Sequence, residues 1–570
     1  MDELATTLNY NIQCLPSVTK EEIRIQLRRM ANNKAPDRSN IIAEMLKMSG
    51  DALLELIAEI FTEVLKPDME IPSSWRKTCI EVMFKKGDPQ FPENYRPISI
   101  LPILYKVFSR VLLARIKNQL EAAQSYDQAG FRSTYSCDDH LFATTLLFEK
   151  TREFRLPLWF AAVDFKKAFD TVEHNTLWTA LQQQGVPEEC RVALQKLYAS
   201  QKAFVATDRQ SREFSITRGT KQGDPISPVL FNAVLEYIFG SLKRDWQRRG
   251  SGLNVGLNEN LTNLRFADDV LLVASSLDEL RTMLSDLQRS AETVGLEIHF
   301  GKTKILANEF GHEDASPQHV NIGGNTVDVL KPGEDTMYLG RSLQLHDYHE
   351  KEFKHRISKA WKKFAVHRKT LCDKHCALNH RIRLFAATVT PTVLYGSCAW
   401  TMSQEMETEL RGVQRKMLRQ MVGSPRKTVL HERESESGTT ASDADTDNSH
   451  GGARETQFEL ETWVDWIQRV THTADNELRK LGLKEWVLEQ RQRKLDWAQK
   501  VAKMDEHRWA KALLFWKPDG TRKVGHPKLR WDDCFAELFA IPDAQSTQDW
   551  VIYAHDADTW NAAAHRFCKG

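Results

Sequence analysis

Three aspartates on two apolar runs are the residues best suited to chemistry in this chain. Asp164 comes directly after Ala161-Ala162-Val163, and Asp268-Asp269 after Phe266-Ala267, 104 residues further on. Each acidic group stands at the end of a run that reads as a buried strand, where carboxylates are rare unless paired or bound to metal. Three of them on neighbouring strands would hold two Mg²⁺ ions, which take oxygen ligands and usually one or two carboxylates beside substrate phosphates. The chemistry such a pair of ions serves is nucleotidyl transfer, in which a 3′-hydroxyl attacks an α-phosphate. Strand ends fix ion spacing better than a mobile loop does. An Asp-Asp pair by itself is more often a surface turn, so its context carries the argument.

The elements that must position these groups are legible. A short buried strand is predicted over 158–163, two helices over 174–200 and a long helix over 225–249, with Leu230, Val234, Ile238 and Leu242 on one stripe. Residues 264–274 read as a hairpin whose turn carries the two aspartates. Ser276-Leu277-Asp278-Glu279 is a capping box for the next helix. Leu280, Met283, Leu284, Leu287, Ala291 and Val294 form that helix's buried face, Gly295 ends it, and a strand is predicted over 296–300. The order β-α-β-β-α-β across 158–306 is that of a ferredoxin-like sheet, so the fold class is α+β. Residues 1–150 read as mixed helix and loop, and 350–422 as helical and basic.

The chain's 570 residues are too many for one core and predict two to four domains. Composition is ordinary for a globular protein, 41% hydrophobic and 27% charged. No apolar run approaches the roughly 20 residues that span a bilayer, and no basic-then-apolar leader is visible. The expectation is an intracellular protein with no membrane association. Nine scattered cysteines fit reduced thiols better than a disulfide framework. Net charge is +1, but 432–455 holds seven acids and two bases, leaving about +6 on the rest. The basic residues cluster at Lys85-Lys86, at Lys351, Lys354, Arg356, Lys359, Lys362 and Lys363, and at Arg411, Arg415, Lys416, Arg419, Arg426 and Lys427. A disordered acidic linker is predicted over 426–456 and a tryptophan-rich helical module over 457–570.

The motifs taken together resemble the reverse transcriptases of LINE-type (non-long-terminal-repeat) retrotransposons. Residues 161–170, Ala-Ala-Val-Asp-Phe-Lys-Lys-Ala-Phe-Asp, are similar to the first palm motif. Residues 218–228, Arg-Gly-Thr-Lys-Gln-Gly-Asp-Pro-Ile-Ser-Pro, are similar to the second, and Phe266-Ala267-Asp268-Asp269 is similar to the third. Gly295-Leu296-Glu297-Ile298-His299 with Lys302-Thr303-Lys304 resembles the fourth, and Tyr338-Leu339-Gly340 the primer-grip turn. Asn94-Tyr95-Arg96-Pro97-Ile98-Ser99 and Gln128-Ala129-Gly130-Phe131-Arg132 resemble the fingers motifs. The likeness covers about 20–425. It implies a right-hand polymerase, with fingers and a ferredoxin-like palm over 1–306, a primer-grip region over 307–345 and a helical thumb over 346–425.

The resemblance also implies roles. Asp164, Asp268 and Asp269 would be catalytic and hold two Mg²⁺ ions, with Mn²⁺ able to substitute. Lys85 and Arg96 would hold the incoming dNTP, since the arginine fork binds phosphate oxygens in pairs. Phe165, Phe169, Gln222 and Gly223 would line the nucleotide, Phe169 as the floor that excludes a 2′-hydroxyl. Lys302 is a candidate general acid toward pyrophosphate. The partners implied are an RNA template and a DNA primer or nicked target DNA, with the nucleus as the site of target-primed synthesis and assembly in the cytoplasm. No room for an endonuclease precedes residue 20, so one supplied elsewhere is expected. Lys34-Ala35-Pro36-Asp37-Arg38-Ser39-Asn40-Ile41 resembles an N-terminal motif of the family but lacks its glycines.

Other patterns carry less. Gly295 to Gly301-Lys302-Thr303 has five intervening residues where a phosphate loop has four, and it comes after a helix rather than a strand. Cys372, His375, Cys376 and His380 fit no standard zinc spacing. Pro518-Asp519 and Asp532 have nuclease-like spacing, without the cysteine/histidine knuckle that should precede them. Arg493-Lys494-Leu495-Asp496-Trp497, Met504-Asp505 and Gly525-His526-Pro527-Lys528-Leu529-Arg530-Trp531 resemble the C-terminal region of some retrotransposon proteins. There Trp497, Trp509, Trp516 and Trp531, interleaved with Arg493, Arg508, Arg522, Lys523 and Arg530, suit base stacking and phosphate contact, or else a small helical core. The alternative function is an inactive remnant that only binds RNA, against which the intact aspartates, Arg96 and Gln222-Gly223-Asp224 argue. Long maturase or telomerase accessory patterns are not visible.

Overall fold

The computed structural model describes residues 15–311, 317–432, 456–520, 529–539 and 549–568. The chain gathers into two compact units, Met1–His346 with Asp505–Pro527, and Asp347–Met504 with Lys528–Gly570. The strands of the first unit are β1 (Lys77–Phe84), β2 (Tyr95–Ile100), β3 (Trp159–Val163), β4 (Lys202–Ala206), β5 (Phe214–Ser215), β6 (Asn263–Phe266), β7 (Asp269–Ala274), β8 (Lys304–Ala307), β9 (His319–Ile322), β10 (Asn325–Val329), β11 (Thr336–Tyr338) and β12 (Arg341–Leu343). One sheet runs β2-β1-β4-β5 and a second runs β6-β7-β3-β8-β10-β9.

In the second sheet, β6, β7, β3 and β8 are antiparallel neighbours. This is the ferredoxin order, carried by the helices Ser227–Arg248 and Leu277–Glu292. Strand β3 is central and covered on both faces, so Trp159, Phe160, Ala161 and Val163 are each at most 4% exposed and show no alternation. The helix Leu277–Glu292 starts where predicted: the Ser276 side chain accepts from the Glu279 N–H. Glu279 does not return that bond. Its carboxylate accepts from the N–H groups of Ser275 and Gly252 instead. Leu280, Met283, Leu284, Leu287, Ala291 and Val294 are at most 1% exposed.

Two expectations are corrected. The strand predicted over 296–300 is only a single bridge, Ile298 to Phe165. The strand beside β3 is β8, reached after a turn in which Lys302 and Thr303 both donate to the His299 carbonyl. Leu296-Glu297-Ile298 alternates as a half-buried strand does, while Ile305-Leu306 is a short apolar run, and pattern did not choose between them. Residues 1–150 are not just helix and loop, since β1 and β2 form the fingers-side sheet. Val82, Met83 and Phe84 at the end of β1 are 40%, 62% and 48% exposed, which erases the alternation that marks a half-buried strand.

The second unit is helical, as the sequence suggested for 350–422. The helices Tyr348–Leu371, Leu378–Thr388, Gln404–Val422, Trp463–Lys480 and Trp486–Ala502 enclose Phe353, Phe364, Phe385, Leu410, Met417 and Trp486. Trp486 stacks on Phe385 at 5.5 Å between ring centroids. The acidic segment over 433–455, expected to be a linker, lies outside the described residues. Its flanks, β13 (Thr428–Glu432) and β14 (Thr456–Leu460), pair antiparallel. The described residues of 457–570 are mostly helical, but Asp505–Pro527 belongs with the first unit. No helix among the described residues is long and apolar enough to cross a membrane. A Leu284→Ala substitution, which empties a wholly buried site under the six-stranded sheet, should lower unfolding free energy by about 3 kcal/mol in urea titration.

Candidate active site

The β3–β7 pairing decides where the acidic groups meet. Its register matches Val163 with Val270, so one more step sets Asp164 opposite Asp269. Opposed residues on an antiparallel pair have Cβ atoms roughly 5 Å apart. Beyond Val163 the chain leaves β7 but is held on its other side. The Asp164 carbonyl accepts from the His299 N–H at 2.7 Å, and the Asp164 N–H donates to Thr303 Oγ1 at 3.4 Å. The residues resembling the fourth palm motif therefore brace Asp164 through backbone, whatever their side chains do.

Asp268 sits in the two-residue turn between β6 and β7, where Phe266 pairs with Asp269. Ala267 takes φ +56°, a left-handed conformation that costs a non-glycine residue about 1 kcal/mol or more. Gln128 holds the turn in that shape. Its Oε1 accepts from the Ala267 N–H at 2.9 Å and from the Gly130 N–H at 2.8 Å. A Cβ on Gly130 would stand 2.3 Å from the Ala267 nitrogen, so only glycine fits against the turn.

Burial pushes Asp268 above the usual carboxylate range, and Asp164 adds to this. Lys85 and Arg96, which flank the β1–β2 loop, pull it back. Asp269 is pushed up to about 6, by burial first and then by repulsion from Asp268 and Asp164. Lys302 Nζ lies 3.2 Å from Asp164 Oδ2 and supplies one compensating charge. Among the described residues no three His, Cys, Asp or Glu side chains stand at metal-holding spacing. The three carboxylates are instead in electrostatic contact, and Asp164 leans on Lys302. The donor set still fits hard divalent cations. Every donor is a carboxylate oxygen, and their mutual repulsion is relieved by added positive charge.

The 218–228 motif forms a loop stitched between the two sheets. Gly219 and Thr220 donate to the carbonyls of Val172 and Phe169, each at 2.7 Å, and the Gln222 carbonyl accepts from Ser99 on β2 at 2.8 Å. Gly223 takes φ +114°, and a Cβ there would meet the Ser99 carbonyl oxygen at 2.9 Å. Phe169 stacks on Phe231 at 4.3 Å and meets Phe131 edge-on, which leaves it half-buried beside this loop. The Phe165 side chain is buried at 4% exposure. Beneath the loop is a cluster that sequence reading did not single out. Tyr105 donates to Asp224 at 2.6 Å, Ser109 also donates to Asp224, and Lys221 Nζ lies 3.1 Å from the Tyr105 oxygen. Burial drops the Lys221 ammonium to about 8, against the pull of Asp224.

Leu339 and Gly340 turn the β11–β12 hairpin with φ +47° and +74°, as two-residue hairpin turns of the twisted kind require. Tyr338 is buried, its hydroxyl 3.3 Å from His140 Nδ1 and 3.4 Å from the Leu264 carbonyl on β6. Tyr338 thus ties this hairpin to the strand that leads into the Ala267-Asp268 turn. Leu339 is buried too, which leaves Gly340 as the exposed residue of the motif.

A profile of reverse transcriptases (RNA-dependent DNA polymerases) matches residues 84–342, spanning every element just described. These residues are a reverse transcriptase domain. The chain's relatives are LINE-type retrotransposon proteins. An uncharacterized transposon-derived protein of Caenorhabditis elegans is 29% identical over 54% of this chain and 96% of its own length. A retrovirus-related Pol polyprotein from a type-1 retrotransposable element R2 of Popillia japonica is 32% identical over 42% of this chain and 33% of its own. An RNA-directed DNA polymerase from the mobile element jockey of Drosophila melanogaster is 23% identical over 72% of this chain and 44% of its own. The chain thus spans less than half the length of these last two relatives.

The reverse transcriptase domain is completed by residues far beyond it. The helix Trp509–Phe515 packs on the helix Cys137–Phe154. Trp509 Nε1 donates to Asp127 Oδ1 at 2.8 Å, and Lys243 Nζ lies 2.7 Å from Asp127 Oδ2. Arg508 pairs with buried Asp139 and covers the Tyr135 ring at 3.8 Å. Burial alone would raise Asp127. Lys243, Arg265 and the Trp509 N–H outweigh it and hold the carboxyl below its usual range. The main chain beside Asp127 pairs with β6: Arg265 donates to the Asp127 carbonyl and Ala129 to the Arg265 carbonyl, both at 2.8 Å. Trp509 and Arg508 therefore support the residues that hold the Ala267-Asp268 turn, a link over more than 360 residues for which no local signal exists. The base-stacking reading of the C-terminal tryptophans is corrected. Trp497, Trp509, Trp516 and Trp531 are 5%, 2%, 7% and 0% exposed and serve as core. Arg522 and Lys523 lie outside the described residues. The nuclease-like pair is also divided, Asp519 falling in the first unit and Asp532 in the second.

Both the long-range support and the acidic cluster are open to test. Arg508→Ala, which strands Asp139 in the interior, should cost about 3 kcal/mol in denaturant unfolding of the full chain. Asp269 has a folded pKa above its unfolded one, so its contribution to stability is present below about pH 4 and lost as pH rises through about 6. Asp269→Asn should therefore melt about 1 °C above wild type at pH 8 without divalent ions, from roughly 1 kcal/mol of relieved burial and repulsion after solvent screening. The difference should vanish near pH 4.

Proposed function

We propose that the chain is the RNA-directed DNA polymerase of a LINE-type retrotransposon, extending a primer 3′-hydroxyl on an RNA template from dNTPs. The observation that carries this is the meeting of Asp164, Asp268 and Asp269 at the β3–β7 strand ends, with Lys85 and Arg96 within electrostatic reach. Asp164, Asp268 and Asp269 would hold two Mg²⁺ ions, with Mn²⁺ able to substitute. Bound divalent ions would lower the pKa of the attacking hydroxyl and neutralise charge at the α-phosphate.

The chain's own residues do the rest of the work. Lys85 and Arg96 draw the triphosphate in, and the arginine fork fixes its orientation. Gln222 and Gly223 form one wall of the nascent base-pair pocket, where the missing side chain of Gly223 permits close approach. Phe169, pinned between Phe231 and Phe131, sets the sugar floor. Lys302, whose Nζ lies 3.2 Å from Asp164 Oδ2, neutralises charge on the leaving pyrophosphate and is the candidate to give it a proton. Synthesis from nicked DNA would need an endonuclease acting with this chain.

Purified protein should incorporate dTTP on poly(rA)/oligo(dT) with Mg²⁺. An Asp268→Ala, Asp269→Ala double variant should lose at least about a thousandfold, or roughly 4 kcal/mol of transition-state stabilisation. A folded, RNA-binding wild type inert on several primed templates, with Mn²⁺ also tried, would overturn the polymerase reading in favour of an RNA-binding remnant.

A further inference from the structure

The tryptophans that sequence spacing nominated for base stacking are buried, yet the second unit does present an aromatic pair to solvent. Trp463 opens the helix Trp463–Lys480 and is 61% exposed. Its ring lies 4.7 Å from that of Trp466, and Trp466 is fixed by donating Nε1–H to the Ser424 carbonyl at 2.8 Å. Both line a cleft of about 550 Å³, walled also by Lys374, Lys416 and Arg419. That volume is ordinary for a small-ligand site and ample for one nucleotide.

The chemistry of the wall is one-sided. It holds three cations and no acidic residue. Lys374 and Lys416 are exposed, and Arg419 is steadied by donating to Thr471 Oγ1 at 3.2 Å. A large apolar ring left in water needs a partner, and a purely apolar docking patch gains nothing from three cations at its edge. A base on an aromatic face with its phosphates on nearby cations satisfies both features at once.

We propose that the Trp463–Trp466 cleft binds a nucleotide of single-stranded RNA, the base stacked on Trp463 and the flanking phosphates held by Lys374, Lys416 and Arg419. The choice of RNA rests on the polymerase reading, which requires an RNA strand. The cleft then holds that strand at a second point, in addition to the template contact that polymerisation requires.

The test is binding, so it does not depend on catalysis. Full-length Asp268→Asn, Asp269→Asn protein is titrated with a fluorescein-labelled 12-nucleotide oligouridylate, and a 5-bromouridine version is photocrosslinked and mapped by mass spectrometry. Crosslinks should fall on the peptide carrying Trp463. Trp463→Ala in the same background should weaken binding at least about fivefold, since stacking on an aromatic ring is worth roughly 1–3 kcal/mol per base. Trp463→Phe should recover most of the loss. Lys416→Ala should lower the slope of log affinity against log salt by about 0.7, one single-strand phosphate contact. Circular dichroism checks that each variant is folded. Unchanged affinity in folded Trp463→Ala, no crosslink at that peptide, or tighter binding of oligothymidylate than oligouridylate would overturn the proposal. Loss of primer extension by wild type would sink the polymerase reading while leaving this result readable.

Discussion

Mutual repulsion among three carboxylates is the constraint on which the rest of the first unit depends. Beyond the effect of burial, Asp164 raises the proton affinity of Asp268, and Asp268 and Asp164 together raise that of Asp269, so a relaxed chain would splay these groups apart. Side-chain packing does little to oppose this, since Asp164 and Asp268 are only half-buried and Asp269 is exposed. The work falls to backbone pairing. The β3–β7 register, the His299 bond to the Asp164 carbonyl and the Gln128 clamp on Ala267 fix the main chain directly beneath the charges. The left-handed Ala267 and the glycine pressed against it are local costs accepted at a functional turn.

That frame is propped in layers. Gln128 stands next to Asp127, and Asp127 sits among Lys243, Arg265 and Trp509. A buried carboxylate with this many partners holds its surroundings in one arrangement. Removing any partner leaves charge in a low-dielectric interior. The Tyr338 hydroxyl adds a tie from the β11–β12 hairpin to β6. Residues that bear no reactive group, Gln128, Gly130, Trp509 and Tyr338, thus converge on the turn that carries Asp268.

The second unit obeys a different logic. Its core is aromatic and closes on itself, with Trp486 stacked on Phe385. Burial of most of its tryptophans makes the exposed Trp463 conspicuous, and three nearby cations set the sign of what it would meet. Composition alone cannot separate a tryptophan that builds a core from one that faces a ligand, since both lie in amphipathic helices with basic neighbours.

By itself, the sequence determined the three aspartates at the ends of apolar strands, the ferredoxin-like order of the palm, the capped helix Leu277–Glu292 and the helical character of 350–422. Each is a local pattern: a polar residue ending an apolar run, a 3.6-residue stripe, a cap. Tertiary structure alone decided the rest. It chose β8 over the alternating segment 296–300 as the partner of β3, and it made strands of β1 and β2, where the exposed end of β1 hides its alternation. It turned Tyr338 inward and brought Trp509 to Asp127 across the length of the chain. Strand choice, burial and long-range pairing are settled by competition among all segments for one interior. No window of neighbouring residues contains that information.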